Sequence, residues 1–179
     1  ILGIYVWKAK RNNPLNIAFG IFCLFVSLWI FFNFLWGIYQ TSSLILISTY
    51  IVAPFIFISM FAWVNYIYRP KLSFKLKLLI WAAVVFNVVI GLFSLPSKLL
   101  IINVQNRFEF STGPIFPLFT AYFIVLLLAF FIYYFYEYKH ASLDLKKSLN
   151  IITAGVTLSA LIGITVSFIL PNFGYVNLA

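Results

Sequence analysis

Few side chains in this sequence could do chemistry, and their types set narrow limits on what that chemistry is. Cys23 and His140 each occur once in the chain. A lone thiol in an apolar run cannot form an intramolecular disulfide, and it reads as a small buried apolar residue. His140 has only Glu137 and Asp144 near it in a basic segment. Zinc and iron sites need several convergent ligands, so His140 reads as a solvated loop residue, and neither metal nor cofactor is expected. No Ser or Thr has a candidate base beside it. The sequence also lacks H-E-x-x-H, a Gly-rich phosphate loop and paired intramembrane carboxylates. Catalysis is therefore not expected within these residues. What remains is hydrogen bonding. Asn33, Ser48, Thr49, Asn87, Thr120, Thr165 and Ser167 stand in otherwise apolar stretches, where an unpaired amide or hydroxyl is costly.

The elements that must hold these residues follow from composition. Of 179 residues, 64% are apolar, 21% aromatic and 8% charged, whereas a soluble domain is about a quarter charged. The solvent must be lipid. From residue 12 to residue 68 there is no charge, a stretch too long for one crossing of about 20 residues. The polar group Gln40, Thr41, Ser42, Ser43 divides it, which predicts helices over 15–39 and 44–68. Further charge-free runs predict spans at 78–97, 110–136 and 148–179, the last ended as a helix by Leu170-Pro171-Asn172. Residues 1–7 are apolar but cover too little for a crossing, and no initiator Met or basic n-region marks a signal peptide. They read as the last turns of a helix whose start is missing. The expected fold is all-α, a polytopic membrane helix bundle with five full spans plus a partial N-terminal one. Residues 1–179 are expected to be a single transmembrane domain truncated at both ends.

A net charge of +9 in a soluble protein would suggest nucleic acid. Here the question is which loops carry it, and nucleic acid is not an expected partner. Lys8, Lys10 and Arg11 form one group, Arg69, Lys71, Lys75 and Lys77 a second, and Lys139, Lys146 and Lys147 a third. The alternate loops hold only Lys98 and Arg107. Positive-inside bias then makes 8–13, 68–77 and 139–149 cytoplasmic in a multi-pass plasma-membrane protein. Trp7, Trp63, Tyr66, Tyr68 and Trp81 fall beside the basic loops as interfacial rings, Trp36 and Tyr39 mark the outer end of the 15–39 helix, and Trp29 reads as packing. Tyr133, Tyr134, Tyr136 and Tyr138 read as an interface belt rather than a binding cage.

With that orientation, Asn33, Thr49, Thr120 and Thr165 lie in the outer halves of their helices and Asn87 lies near the midplane. The set would suit a ligand pocket opening outward, or simply interhelical hydrogen bonds. Gly155, Ser159, Gly163 and Ser167 recur at fourfold spacing. This is a seam of small residues for close helix packing, either within the chain or with a second copy in a homodimer. Pro54 interrupts its helix near the centre, and the kink is either static or a hinge. The segment from Leu100 to Val104, then Gln105-Asn106, then Arg107 to Gly113 reads as an external β-hairpin about a tight turn. Phe108 and Phe110 would be on one side and Arg107 and Glu109 on the other. It serves as a lid on the helix mouths or as a connector.

These residues resemble the N-terminal seven-transmembrane region of bacterial sensor histidine kinases. The resemblance is carried by Asn16-Ile17-Ala18-Phe19 with Leu28-Trp29, by Pro54 with Phe57, Phe61 and Tyr66, and by Gly113-Pro114-Ile115-Phe116. Its most specific part runs from Lys146-Lys147-Ser148-Leu149 through Gly155 to Leu170-Pro171-Asn172-Phe173-Gly174. The chain departs from the pattern at Ser148-Leu149-Asn150, where many relatives have a Gln after the basic pair. The resemblance implies that most of a first helix and all of a seventh are missing, and that the seventh leads in cis to a cytoplasmic output domain. It also implies a sensing role, by a shift of helix packing in response to an external or membrane-borne signal. No phosphoacceptor box or ATP-lid motif is present, so His140 does not inherit that role. Two further function classes stay open: a transport or channel component, and a structural membrane anchor.

Overall fold

The computed structural model describes residues 12–69, 71–97, 99–104, 110–143, 146 and 150. They are mostly helical: α1 (Pro14–Ile38), α2 (Ser43–Tyr68), α3 (Phe74–Ser97), a two-stranded sheet of β1 (Ile101–Val104) and β2 (Phe110–Thr112), and α4 (Phe116–His140). All four helices are long and apolar enough to cross a membrane, α3 over Phe74–Ser94. Of the five full spans expected, four are present among the described residues. The fifth, at 148–179, lies outside them, as do residues 1–7.

Local chemistry places the helix starts. Asn13 caps α1 by accepting from the Leu15 amide at 3.0 Å, with Pro14 in the first turn, where its missing N–H costs nothing. Ser42 accepts from the Ile45 amide at 3.5 Å and opens α2. Ser73 accepts from the Leu76 amide at 3.3 Å, so α3 begins before Lys75 and Lys77 rather than at residue 78. The last helix begins at Phe116 rather than at residue 110, because Phe110–Thr112 are used in strand pairing. It runs on to His140. Glu137 lies near the end of this helix and is buried.

The chain divides between Tyr134 and Phe135 into two compact units. In the first, α2 is the central element. Half of its most apolar window is buried inside the protein, against 6% for α1. It packs along α1 through Trp63 stacked on Phe22, centroids 5.6 Å apart, and Phe55 stacked on Phe25 at 4.9 Å. Trp63 is therefore a packing residue rather than an interfacial one. Towards α4 the contacts are edge-to-face, Tyr50 on Phe116 at 5.5 Å, Phe57 on Phe123 at 5.4 Å and Phe61 on Phe130 at 5.5 Å. Phe116, Phe123 and Phe130 recur every seven residues, and Phe119, Leu126 and Tyr133 follow each of them by three. This is the spacing of a helix-packing seam.

The hairpin differs from its expected form. Val104 pairs with Phe110, Asn103 with Ser111 and Ile101 with Thr112, so residues 105–109 connect the strands, where a tight turn at Gln105-Asn106 would have paired Val104 with Arg107. The register shifts between Ile101 and Asn103. That irregularity puts Ile101 and Val104 on the same inward side, although ordinary alternation would separate them. Both are buried, together with Leu100, in one cluster with Trp36, Leu46, Ile47, Ile90 and Phe119. The hairpin is thus packed into the bundle end, and Trp36, expected at the interface, belongs to its core. The expected sidedness of Phe108 and Phe110 lies outside the described side chains.

In the second unit, α4 closes through local contacts. His140 Nδ1 lies 2.8 Å from the Tyr136 carbonyl, and the Tyr138 hydroxyl donates to Asn150 Oδ1 at 2.7 Å. Lys146 Nζ stands 5.7 Å from the Tyr138 ring centroid, a cation–π distance.

Candidate functional site

Two buried carboxamides join helices at two levels of the first unit. The first is Asn87 on α3, whose side chain is fully buried. Its Nδ2 donates to the Ile51 carbonyl of α2 at 2.7 Å. The site is shaped by two backbone features. Pro54, three residues beyond Ile51 in α2, brings no N–H to the helix ladder and loosens that part of the helix. Gly91, one turn beyond Asn87, makes room for the Ile51 side chain, because a Cβ there would stand 3.2 Å from Ile51 Cδ1 and 3.3 Å from its Cγ2.

This site has hydrogen-bonding capacity to spare. Asn87 Oδ1 has no hydrogen-bond partner among the described residues, and the same holds for Ser94 Oγ and Thr120 Oγ1. Asn87 and Ser94 are seven residues apart on one face of α3, and both are fully buried. Such groups ordinarily find partners, and each exception calls for a physical reason. An amide and two hydroxyls can offer hydrogen bonds here but no readily ionised proton.

The second carboxamide is Asn65, near the end of α2 that leads into the basic segment. It is 1% exposed and satisfied on three sides. Its Oδ1 accepts from the Tyr133 hydroxyl of α4 at 3.0 Å, its Nδ2 donates to the Lys71 carbonyl at 3.3 Å, and its backbone carbonyl takes the Arg69 amide at 2.7 Å. Asn65 is the residue that sequence reasoning passed over. The available signal was an amide four residues before the first charge after a long apolar run, next to an entry loop whose backbone needs donors. Tyr133 accordingly ties helices together, and Tyr134 is buried, while Tyr136 is 58% exposed as an interface ring would be. A third polar bridge runs from the Tyr122 hydroxyl to the Ala83 carbonyl at 3.2 Å.

The other residues expected in a pocket are spent locally. Asn33 donates to the Trp29 carbonyl at 2.8 Å, Ser48 to Leu44 at 2.8 Å and Thr49 to Ile45 at 3.0 Å, all four residues back in their own helices. Asn33 and Thr49 therefore do not join Asn87 through hydrogen bonds. Thr165 and the small-residue seam Gly155, Ser159, Gly163 and Ser167 lie outside the described residues. Among the described residues, no group of three His, Cys, Asp or Glu side chains could hold a metal ion. No protein-family profile, curated protein or solved structure matches this chain.

Proposed function

We propose that this chain is a membrane-embedded signal-sensing input domain that passes an external or membrane-borne signal to a cytoplasmic output in cis, such as a histidine kinase. The observation that carries the reading is the α2–α3 crossing. The Asn87 amide joins the helices at the Ile51 carbonyl beside Pro54 and Gly91, while buried Asn87 Oδ1 and Ser94 Oγ have no partner among the described residues. Spare acceptors beside a weakened turn allow a second pairing of similar energy. A ligand or membrane change that favours one pairing shifts the populations of the two. The grouping of basic residues in 8–13, 68–77 and 139–149 supports an orientation with those loops in the cytoplasm of a plasma-membrane protein, as does the resemblance to the seven-transmembrane regions of sensor kinases.

The test uses the native protein in inverted membrane vesicles supplied with labelled ATP. Phosphate incorporation into the protein is expected. Asn87→Leu is expected to change its rate about fivefold or more, the scale of a modest coupling between sites, at unchanged protein level and helicity. No incorporation, with solute flux across the same vesicles abolished by Asn87→Leu, would sink the sensor reading in favour of transport.

A further inference from the structure

The segment that leads from α2 into α3 gathers cationic and apolar groups that the helix packing leaves at the surface. Arg69, Lys71, Lys75 and Lys77 are all exposed. The backbone beneath the charges is held in place. Asn65 takes the Arg69 amide and donates to the Lys71 carbonyl, while Ser73 accepts from the amides of Leu76 and Lys77, through Oγ at 3.3 Å and through its carbonyl at 2.9 Å.

The same stretch carries an outward apolar stripe. Phe74, Leu78 and Trp81 are spaced four and three residues apart on one face of α3 and are 80%, 62% and 66% exposed, whereas Leu76 on the opposite face is buried. The stripe continues up the helix through Val85 and Leu92. On a helix of membrane length, this is a surface for acyl chains. Lys75 and Lys77 flank it at its start. In that position a lysine lays its methylenes along hydrocarbon and lifts its ammonium into the headgroup layer, the depth that a Trp ring also prefers.

We propose that Lys71, Lys75 and Lys77, with Phe74, Leu78 and Trp81, form a binding site for anionic phospholipid. Lys71, Lys75 and Lys77 engage the headgroup charge, and Phe74, Leu78 and Trp81 line the upper acyl chain. The apolar stripe selects a lipid over a soluble phosphate, because free phosphate has nothing to place on Phe74 or Trp81. Clustered basic residues next to a membrane span attract anionic lipid strongly enough to enrich it at the protein surface.

Electron spin resonance of the purified protein, reconstituted in phosphatidylcholine bilayers with spin-labelled phosphatidylglycerol or phosphatidylcholine, reads the relative association of the two lipids directly. The native protein is expected to prefer phosphatidylglycerol several-fold. Combined Lys71→Gln, Lys75→Gln and Lys77→Gln should lower that preference roughly threefold or more, and the same three positions changed to Arg should keep it. Lys139→Gln with Lys146→Gln should leave it unchanged, as should inorganic phosphate added at constant ionic strength. A native preference near unity, an equal loss from the Lys139 and Lys146 pair, or displacement by inorganic phosphate would each overturn the proposal.

Discussion

The Asn87 amide of α3 reaches the Ile51 carbonyl of α2 at 2.7 Å, in the turn that precedes Pro54. Removing it should cost about 0.6 to 2 kcal/mol, the range for interhelical hydrogen bonds in lipid. Asn87→Asp should cost more than Asn87→Ala, because a carboxyl there must either desolvate a charge or hold a proton. Unfolding in mixed micelles measures both variants, and equal stability of Ala and native proteins would remove the bond's structural role.

Gly91 tests the same crossing sterically. A methyl at this position meets Ile51 Cδ1 at 3.2 Å and Cγ2 at 3.3 Å, and the outer part of that side chain can move aside. Gly91→Ala is expected to cost under about 1 kcal/mol and Gly91→Val about 1 to 3 kcal/mol, the scale of overpacking. Ile51→Ala should recover much of the Val penalty. Additive losses in the double variant would show that the two residues do not meet.

At the basic end, Tyr133→Phe leaves the buried Asn65 Oδ1 without its donor and should destabilise by about 1 to 3 kcal/mol. Asn65→Leu alone should do at least as much harm, because it also releases the Lys71 carbonyl. The double variant should fall short of the sum by about 0.5 kcal/mol or more, the signature of residues in one network. Thermal unfolding of the four proteins decides the cycle.

Burial in lipid should govern the aromatic positions. Phe130 is 2% exposed and Phe34 is 64% exposed. Phe130→Ala opens a cavity and should cost about 2 kcal/mol, below the roughly 3 to 5 kcal/mol of an aqueous protein because no water-transfer term is recovered. Phe34→Ala should stay within about 0.5 kcal/mol.

Orientation is open to labelling. In a Cys23→Ser background, a single cysteine at Thr41 should react with an impermeant maleimide from outside the cell, and one at Ser73 only after the membrane is opened. The reverse pattern would overturn the cytoplasmic assignment of 68–77.

The sequence by itself determined the number and extent of the described spans to within about a turn, except at α4. It also determined the presence of a hairpin; the caps Asn13 and Ser42, which the structure brought out, are local contacts of the same kind. These are local quantities: the cost of inserting a window of residues into hydrocarbon, and a side chain meeting an amide two or three positions on. Which face of each helix points inward was decided only by the tertiary structure. Phe119 is 1% exposed and Phe31 is 51% exposed, yet nothing in their neighbourhoods separates them, because core and lipid are both apolar and leave no polar stripe to read. The same holds for the carboxamides. Asn33 turns back on its own helix at Trp29, while Asn87 and Asn65 bridge to Ile51 and Tyr133. An amide in hydrocarbon must find a partner, and whether that partner is its own backbone or a neighbour depends on which helix lies beside it.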